Sequence, residues 1–145
     1  VQRVTNVQVT ALDEVGTTLL RAAGALLADE GAAALTVRRI AAEAGMSTMN
    51  VYSRFGSKQG VVDQLFLQGF ELLAAAMTEV PLTDDPVADL QRCGQAYRRF
   101  AHEHETLYAV MFDHVVPDHE PSPIALTSAF ATLRQLADRL QRCID

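Results

Sequence analysis

The side chains between Thr36 and Lys58 are of types that pair with nucleic acid, at spacings that bring them to one surface. An arginine can fork onto the guanine edge, an asparagine can pair with adenine, and Met or Thr methyl groups can meet the methyl of thymine. Arg38, Thr48, Met49 and Asn50 supply these chemistries. Thr36, Ser47 and Ser57 each stand where a helix can open, and free N–H groups at helix N-termini, aided by the helix dipole, hold phosphate. Lys58 follows directly in a first turn, where the dipole alone disfavours a cation; an expected phosphate resolves that conflict. Over this stretch four basic residues (Arg38, Arg39, Arg54, Lys58) face one acidic residue, Glu43.

Other chemistries are less well supported. His102, His104, His114 and His119 lie near Glu103, Glu105, Asp113 and Asp118, which raises a metal-dependent reading. His102 and His104 are two residues apart, however, and such a pair diverges on a helix where an i, i+4 pair would converge. No metal is therefore expected, and no cofactor. Cys93 and Cys143 have no paired spacing, so they are read as free thiols. No glycine-rich phosphate loop, nucleophile elbow or paired-carboxylate cleft occurs, and a non-enzymatic role is expected.

The formal net charge of −6 at first argues against a partner made of phosphate. Its distribution reverses that inference. Residues 1–66 hold six basic and six acidic side chains, whereas 67–145 hold six and twelve. A local positive footprint survives on a neutral N-terminal part.

Abundant Ala and Leu, few Gly and Pro and no Trp favour an all-α fold. Residues 1–10 lack a helical period and are read as a flexible arm. Leu12, Val15, Leu19, Ala22, Ala23, Leu26 and Leu27 then recur at helical spacing, ending at Gly31. Thr36 caps a second helix to Ala44, Gly45 turns the chain, and Ser47 caps a third that stops near Gly56. In that third helix a 100° step puts Val51 and Phe55 inward. Met49, Asn50 and Ser53 lie opposite, flanked by Thr48, Tyr52 and Arg54.

Ser57 caps a long fourth helix with Val61, Val62, Leu65, Phe66, Leu72, Leu73, Ala76, Met77 and Val80 in register. Asp85-Pro86 starts a fifth, with Val87, Leu90, Tyr97, Phe100 and Ala101 inward. His104–Asp113 forms a short sixth, 116–123 a loop, and Ala125–Ile144 a last helix on Leu126, Phe130, Leu133, Ala137, Leu140 and Ile144. No stretch is an uninterrupted apolar membrane span, no secretory signal is evident, and a cytoplasmic location is expected.

Residues 12–66 resemble the DNA-binding domain of the tetracycline-repressor (TetR) family. The resemblance rests on Thr36, Ile40-Ala41, Ala44-Gly45, Ser47, Tyr52, Phe55, Ser57 and Lys58. It implies that Arg38, Thr48, Met49, Asn50 and Ser53 face bases, and that Thr36, Ser47, Tyr52, Arg54 and Lys58 hold backbone. Arg54 departs from the family's usual His and Gln59 from its usual Glu. Ala96–Ala101, His104, Leu107-Tyr108 and Met111-Phe112 resemble one branch of the family, in which this patch packs the ligand domain.

The organisation expected is therefore an arm over 1–10, a helix-turn-helix head over 11–58 and an effector-binding and dimerisation body over 59–145. Phe70, Met77, Tyr97, Phe100, Tyr108, Met111 and Phe112 are the candidates to line a pocket for a small, apolar or aromatic effector. The sequence ends at Asp145, before the two C-terminal dimer helices that the resemblance implies, so the body is expected to lack them. The implied partners are a palindromic double-stranded operator, an effector and a second copy, with no membrane. The rival readings are a helical ligand-binding or interaction protein that does not bind an operator, and a small His/carboxylate enzyme.

Overall fold

A computed structural model describes residues 12–145, and all the regular structure in them is helical. The expected arm over residues 1–10 lies outside them. The helices are α1 (Glu14–Glu30), α2 (Val37–Glu43), α3 (Thr48–Phe55), α4 (Lys58–Thr78), α5 (Pro86–Glu103), α6 (Glu105–Phe112) and α7 (Pro123–Ile144), with a 3-10 turn at Ala32–Ala34.

Capping chemistry sets most of these boundaries. The Asp13 carboxylate accepts from the Gly16 N–H at 2.8 Å, and Thr36, Ser57, Asp85 and Ser122 each accept from a backbone N–H three residues on. Pro86 and Pro123 stand in first turns, where their missing N–H costs nothing.

One continuous core runs through the chain. Leu19, Ala23 and Leu26 of α1 meet Ile40 and Ala41 of α2, Val51 and Phe55 of α3, and Val61, Val62 and Leu65 of α4. Phe70, Leu73 and Met77 carry the core on toward Cys93, Phe100, Val110, Met111, Ala125 and Ala129. α4 is the central element, packed against α1, α3, α5, α6 and α7. By length and composition it could cross a bilayer, but half of its most apolar stretch is buried inside the fold, as expected of a helix with neighbours on several sides. Gly69 marks a close crossing: a Cβ there would overlap the Met111 thioether of α6.

The structure corrects the sequence reading of which faces are buried. Val87, read as inward, is exposed, and so is Leu72 of the apolar series on α4. On α7 the whole apolar series is turned outward: Leu126, Phe130 (67% exposed), Leu133, Ala137, Leu140 and Ile144 (78%). The face that packs on the body consists instead of Ala125, Ala129, Thr132 and Arg139. Small residues let the α7 backbone approach α4 closely enough for the Thr132 hydroxyl to donate to the Phe70 carbonyl at 3.2 Å. Periodicity identifies residues that share a face, not the side on which the rest of the molecule lies.

Polar ties hold the body at its ends. Asp89 is completely buried, and its carboxylate accepts from the Thr83 N–H (2.7 Å), the Thr83 hydroxyl (2.8 Å), Arg142 (3.0 Å) and Arg92. The Thr83 backbone N–H, then the Thr83 hydroxyl, Arg142 and Arg92, hold its pKa far below the usual carboxylate range despite burial. Arg139 donates to the Met77 and Val80 carbonyls at the end of α4. Near the start of α4, Asp63 accepts from the Ser122 N–H (2.8 Å) and hydroxyl (2.6 Å), and His119 lies 3.2 Å away.

Candidate nucleic-acid interface

Two short helices cross steeply only if the turn between them admits unusual backbone geometry and apolar plugs fill the space beneath. Gly45 has φ +68°, a value other residues rarely adopt, and the Met46 N–H reaches back to the Ala41 carbonyl at 2.8 Å. Ile40, Ala41, Val51 and Phe55 are the buried plugs, with Val37, Ala44 and Met46 packed around them.

The opposite face of α3 is open. Met49 is 72% exposed, Tyr52 and Ser53 are exposed, and Thr48 and Asn50 are half-buried. The residues expected to face bases on α3 therefore form one surface. Arg38, at the start of α2, is exposed and has no hydrogen-bond or ion-pair partner among the described residues, whereas its neighbour Arg39 pairs with Glu30 of α1. Lys58 likewise has no partner there.

The three hydroxyl residues at helix starts differ. Thr36 and Ser57 cap backbone N–H groups at 3.2 Å. Ser47 occupies the cap position of α3, but its hydroxyl accepts from the Asn50 side-chain amide at 3.2 Å and caps no backbone N–H. The first-turn N–H groups of α3 are thus left without a side-chain acceptor, as an incoming phosphate would need.

Arg54 is paired within the protein. Its guanidinium forks onto Asp13, Nε to Oδ1 at 2.8 Å and Nη2 to Oδ2 at 2.7 Å, bolting the end of α3 to the N-cap of α1. Its remaining nitrogen, Nη1, donates to Asn50 Oδ1 at 3.1 Å. The Arg54 hydrogen bond, followed by that from the Gly16 N–H, pulls the Asp13 pKa down to about 2. The residue expected to hold phosphate is thus engaged in an intramolecular ion pair. Asp13 was visible in the sequence only as a residue before an apolar helix; nothing local pairs it with a residue 41 positions on.

The residues expected to line an effector pocket are assembled as packed core. Phe66, Phe70, Phe112 and Tyr108 form a chain of rings with centroids 4.9 to 5.5 Å apart, and Tyr97 meets Tyr108 edge-on at 6.3 Å. Burial, followed by the neighbouring Tyr108, pushes the Tyr97 hydroxyl up to about 12. Met77, Phe100 and Met111 are buried. Of the seven, only Phe100 borders one of the four cavities described, a space of about 150 Å³. Flexible thioethers and stacked rings fill the gaps between crossing helices.

The largest of these cavities, about 540 Å³, lies instead where α1 and α4 meet the α5–α6 corner, between Leu20, Arg21, Leu65, Gln68, His104 and Leu107. Another of about 450 Å³ flanks the same α1–α6 seam, against Leu27, Ala32, Thr106 and Val115.

The histidines are dispersed. His102 and His114 are exposed, His104 forms the α5–α6 corner, and His119 is buried beside Asp63. Among the described residues, no group of three or more His, Cys, Asp or Glu side chains is placed to hold a metal ion.

Residues 19–65 match the family described as bacterial regulatory proteins, tetR family, and residues 90–144 match the tetracyclin repressor-like C-terminal domain. No curated protein matches the chain. Among solved structures, the TetR family transcriptional regulator PfmR from Thermus thermophilus is 24% identical, with a TM-score of 0.70 over 87% of this chain and 68% of that one. A bacterial regulatory protein in the tetR family from Rhodococcus RHA1 is 23% identical, with a TM-score of 0.74 over 90% and 68%. A protein of unknown function from Rhodococcus sp. RHA1 is 24% identical, with a TM-score of 0.72 over 94% and 72%. At these identities the structural likeness speaks for the fold. Across such structures the chain spans 60% to 72% of their length.

Proposed function

The chain belongs to the tetracycline-repressor family and is a DNA-binding transcriptional regulator, and from that premise we propose that it is a repressor released from a palindromic operator by a small molecule. The observation that carries the proposal is the open face of α3. Thr48, Met49, Asn50 and Ser53 stand together on a helix whose other side is locked into the core, and Arg38, at the start of the neighbouring α2, is exposed with no partner among the described residues. The N-terminal part of α3 enters the major groove, Arg38 and these side chains meet base edges, and Thr36, Ser47, Tyr52, Ser57 and Lys58 steady the backbone.

One such head has few placed cations and binds weakly, so two act together on half-sites about 34 to 36 Å apart or a multiple of that. The outward stripe of α7 supports a dimer, because its apolar positions follow the alternating four- and three-residue spacing of a helix-to-helix seam. The effector enters the cavity of about 540 Å³ between α1, α4 and the α5–α6 corner, a volume in the range of small-molecule sites. From there it alters how α1 rests on α6. A coupling of roughly 1 to 3 kcal/mol is enough to release the DNA. The regulator acts in the cytoplasm, where its operator lies.

A mobility-shift assay on duplexes selected from a random pool tests the reading. Wild type should retain a palindromic sequence that Arg38→Ala and Asn50→Ala bind less selectively. Failure of the dimeric protein to select any sequence rejects it.

A further inference from the structure

The side-chain amide of Asn50 is held at both ends. Its Nδ2 donates to Ser47 Oγ at 3.2 Å, one turn toward the N-terminus of α3, and its Oδ1 accepts from Arg54 Nη1 at 3.1 Å, one turn toward the C-terminus. A serine hydroxyl can donate or accept, so Ser47 tolerates either orientation of the amide. A guanidinium has donors only. Turning the amide over would set its N–H₂ against Arg54 Nη1, donor against donor, and Arg54 itself cannot turn away.

That immobility comes from Asp13. The carboxylate takes Nε and Nη2 in a two-pronged pair, which fixes the plane of the guanidinium and the direction of Nη1. The carboxylate is in turn fixed by capping α1 through the Gly16 N–H. Gly16 leaves room for the crossing: a Cβ there would stand 2.9 Å from Asp13 Oδ1 and 3.4 Å from Arg54 Cδ.

We infer that Arg54 is a positioning residue for base recognition: anchored by Asp13, it fixes the Asn50 amide with its nitrogen leading into the groove, so that Asn50 reads hydrogen-bond acceptors and discriminates against cytosine. This rests on the proposed contact between Asn50 and a base. With Oδ1 drawn back toward Arg54, the two-bond pairing to adenine, which needs both ends of the amide side by side, gives way to a single donated bond. Guanine N7 and O6, adenine N7 and thymine O4 can accept that bond in the major groove, whereas cytosine presents its own N–H₂ donor. Arg54, which departs from the family's usual residue at its position, thus acts on sequence preference from a site that touches no base.

The test is selection of bound duplexes from a randomised pool by the full chain as wild type, N50A, R54Q, R54K and D13N, with circular dichroism to follow folding. N50A should erase preference at one position of each half-site. R54Q, whose amide can accept as well as donate, and D13N, which removes the acceptor for Nη2 and so loosens the guanidinium plane without altering α3, should raise cytosine at that same position by about two- to tenfold, the worth of one net hydrogen bond. The other positions should be unchanged, and R54K, donor-only like arginine, should recover part of the wild-type preference.

If R54Q and D13N weaken all sequences alike while N50A still erases its position, the positioning role is overturned and the base contact stands. If N50A alters no position, both fall. Should R54Q fail to fold, D13N decides, because it leaves α3 intact.

Discussion

Single side chains carry the first expectations. Arg38→Ala should cost about 1 to 3 kcal/mol of operator binding and relax preference at one base pair. Lys58→Ala should weaken all sequences alike and lower the salt slope by about one, as titrations at several salt concentrations would record. These two residues could be singled out early, because a cation near a helix start is a local feature of the sequence. Arg54 was not legible in this way. Its role depends on Asp13, brought to it by the packing of α1 on α3, and only the fold makes that pairing. The same pair makes an acid prediction. The Asp13 carboxyl is held at about 2, below its ordinary 3.8, so its contribution is complete above about pH 4 and fades as pH falls toward 2. The urea midpoint of wild type should therefore fall over that window more steeply than that of Asp13→Asn; parallel curves would contradict it.

Among the elements, the junction of α3 and α4 is the least tolerant. A Cβ on Gly60 would overlap the backbone carbonyl of Phe55, which cannot move aside as a flexible side chain can. Gly60→Ala should cost at least about 1 to 3 kcal/mol, although alanine ordinarily strengthens a helix, and urea unfolding would measure it. Helix boundaries were readable in advance because they follow from Thr36, Gly45, Ser57, Asp85 and Pro86, whose cues are local. The orientation of α7 was not. Its Ala125, Ala129 and Thr132 face looks featureless beside a stripe of Leu, Phe and Ile, and only contact with α4 reveals that the small residues are the buried ones. The role of the expected pocket residues was illegible for a related reason: rings and thioethers at helical spacing describe a well-filled interior as readily as a cavity wall.

At the scale of the molecule, α7 carries the expectation for assembly. Phe130→Glu with Leu133→Glu should leave the monomer folded, since both residues are exposed, and should shift sedimentation toward the monomer. Affinity for a two-half-site operator should drop with it, while binding of an isolated half-site should change little. Equal sedimentation of mutant and wild type would remove α7 from the interface. α4 joins the DNA-facing helices to everything else, and the tie of Asp63 to Ser122 and His119 fastens it near one end. The same α7 that follows Ser122 also grips the Phe70 and Met77 carbonyls of α4 through Thr132 and Arg139, so the two helices form one beam. At a rise of 1.5 Å per residue that beam is tied over about 21 Å, from Asp63 to Met77, and overhangs by about 7.5 Å to Lys58. A tilt of α7 is therefore carried to the DNA-facing end with little bending.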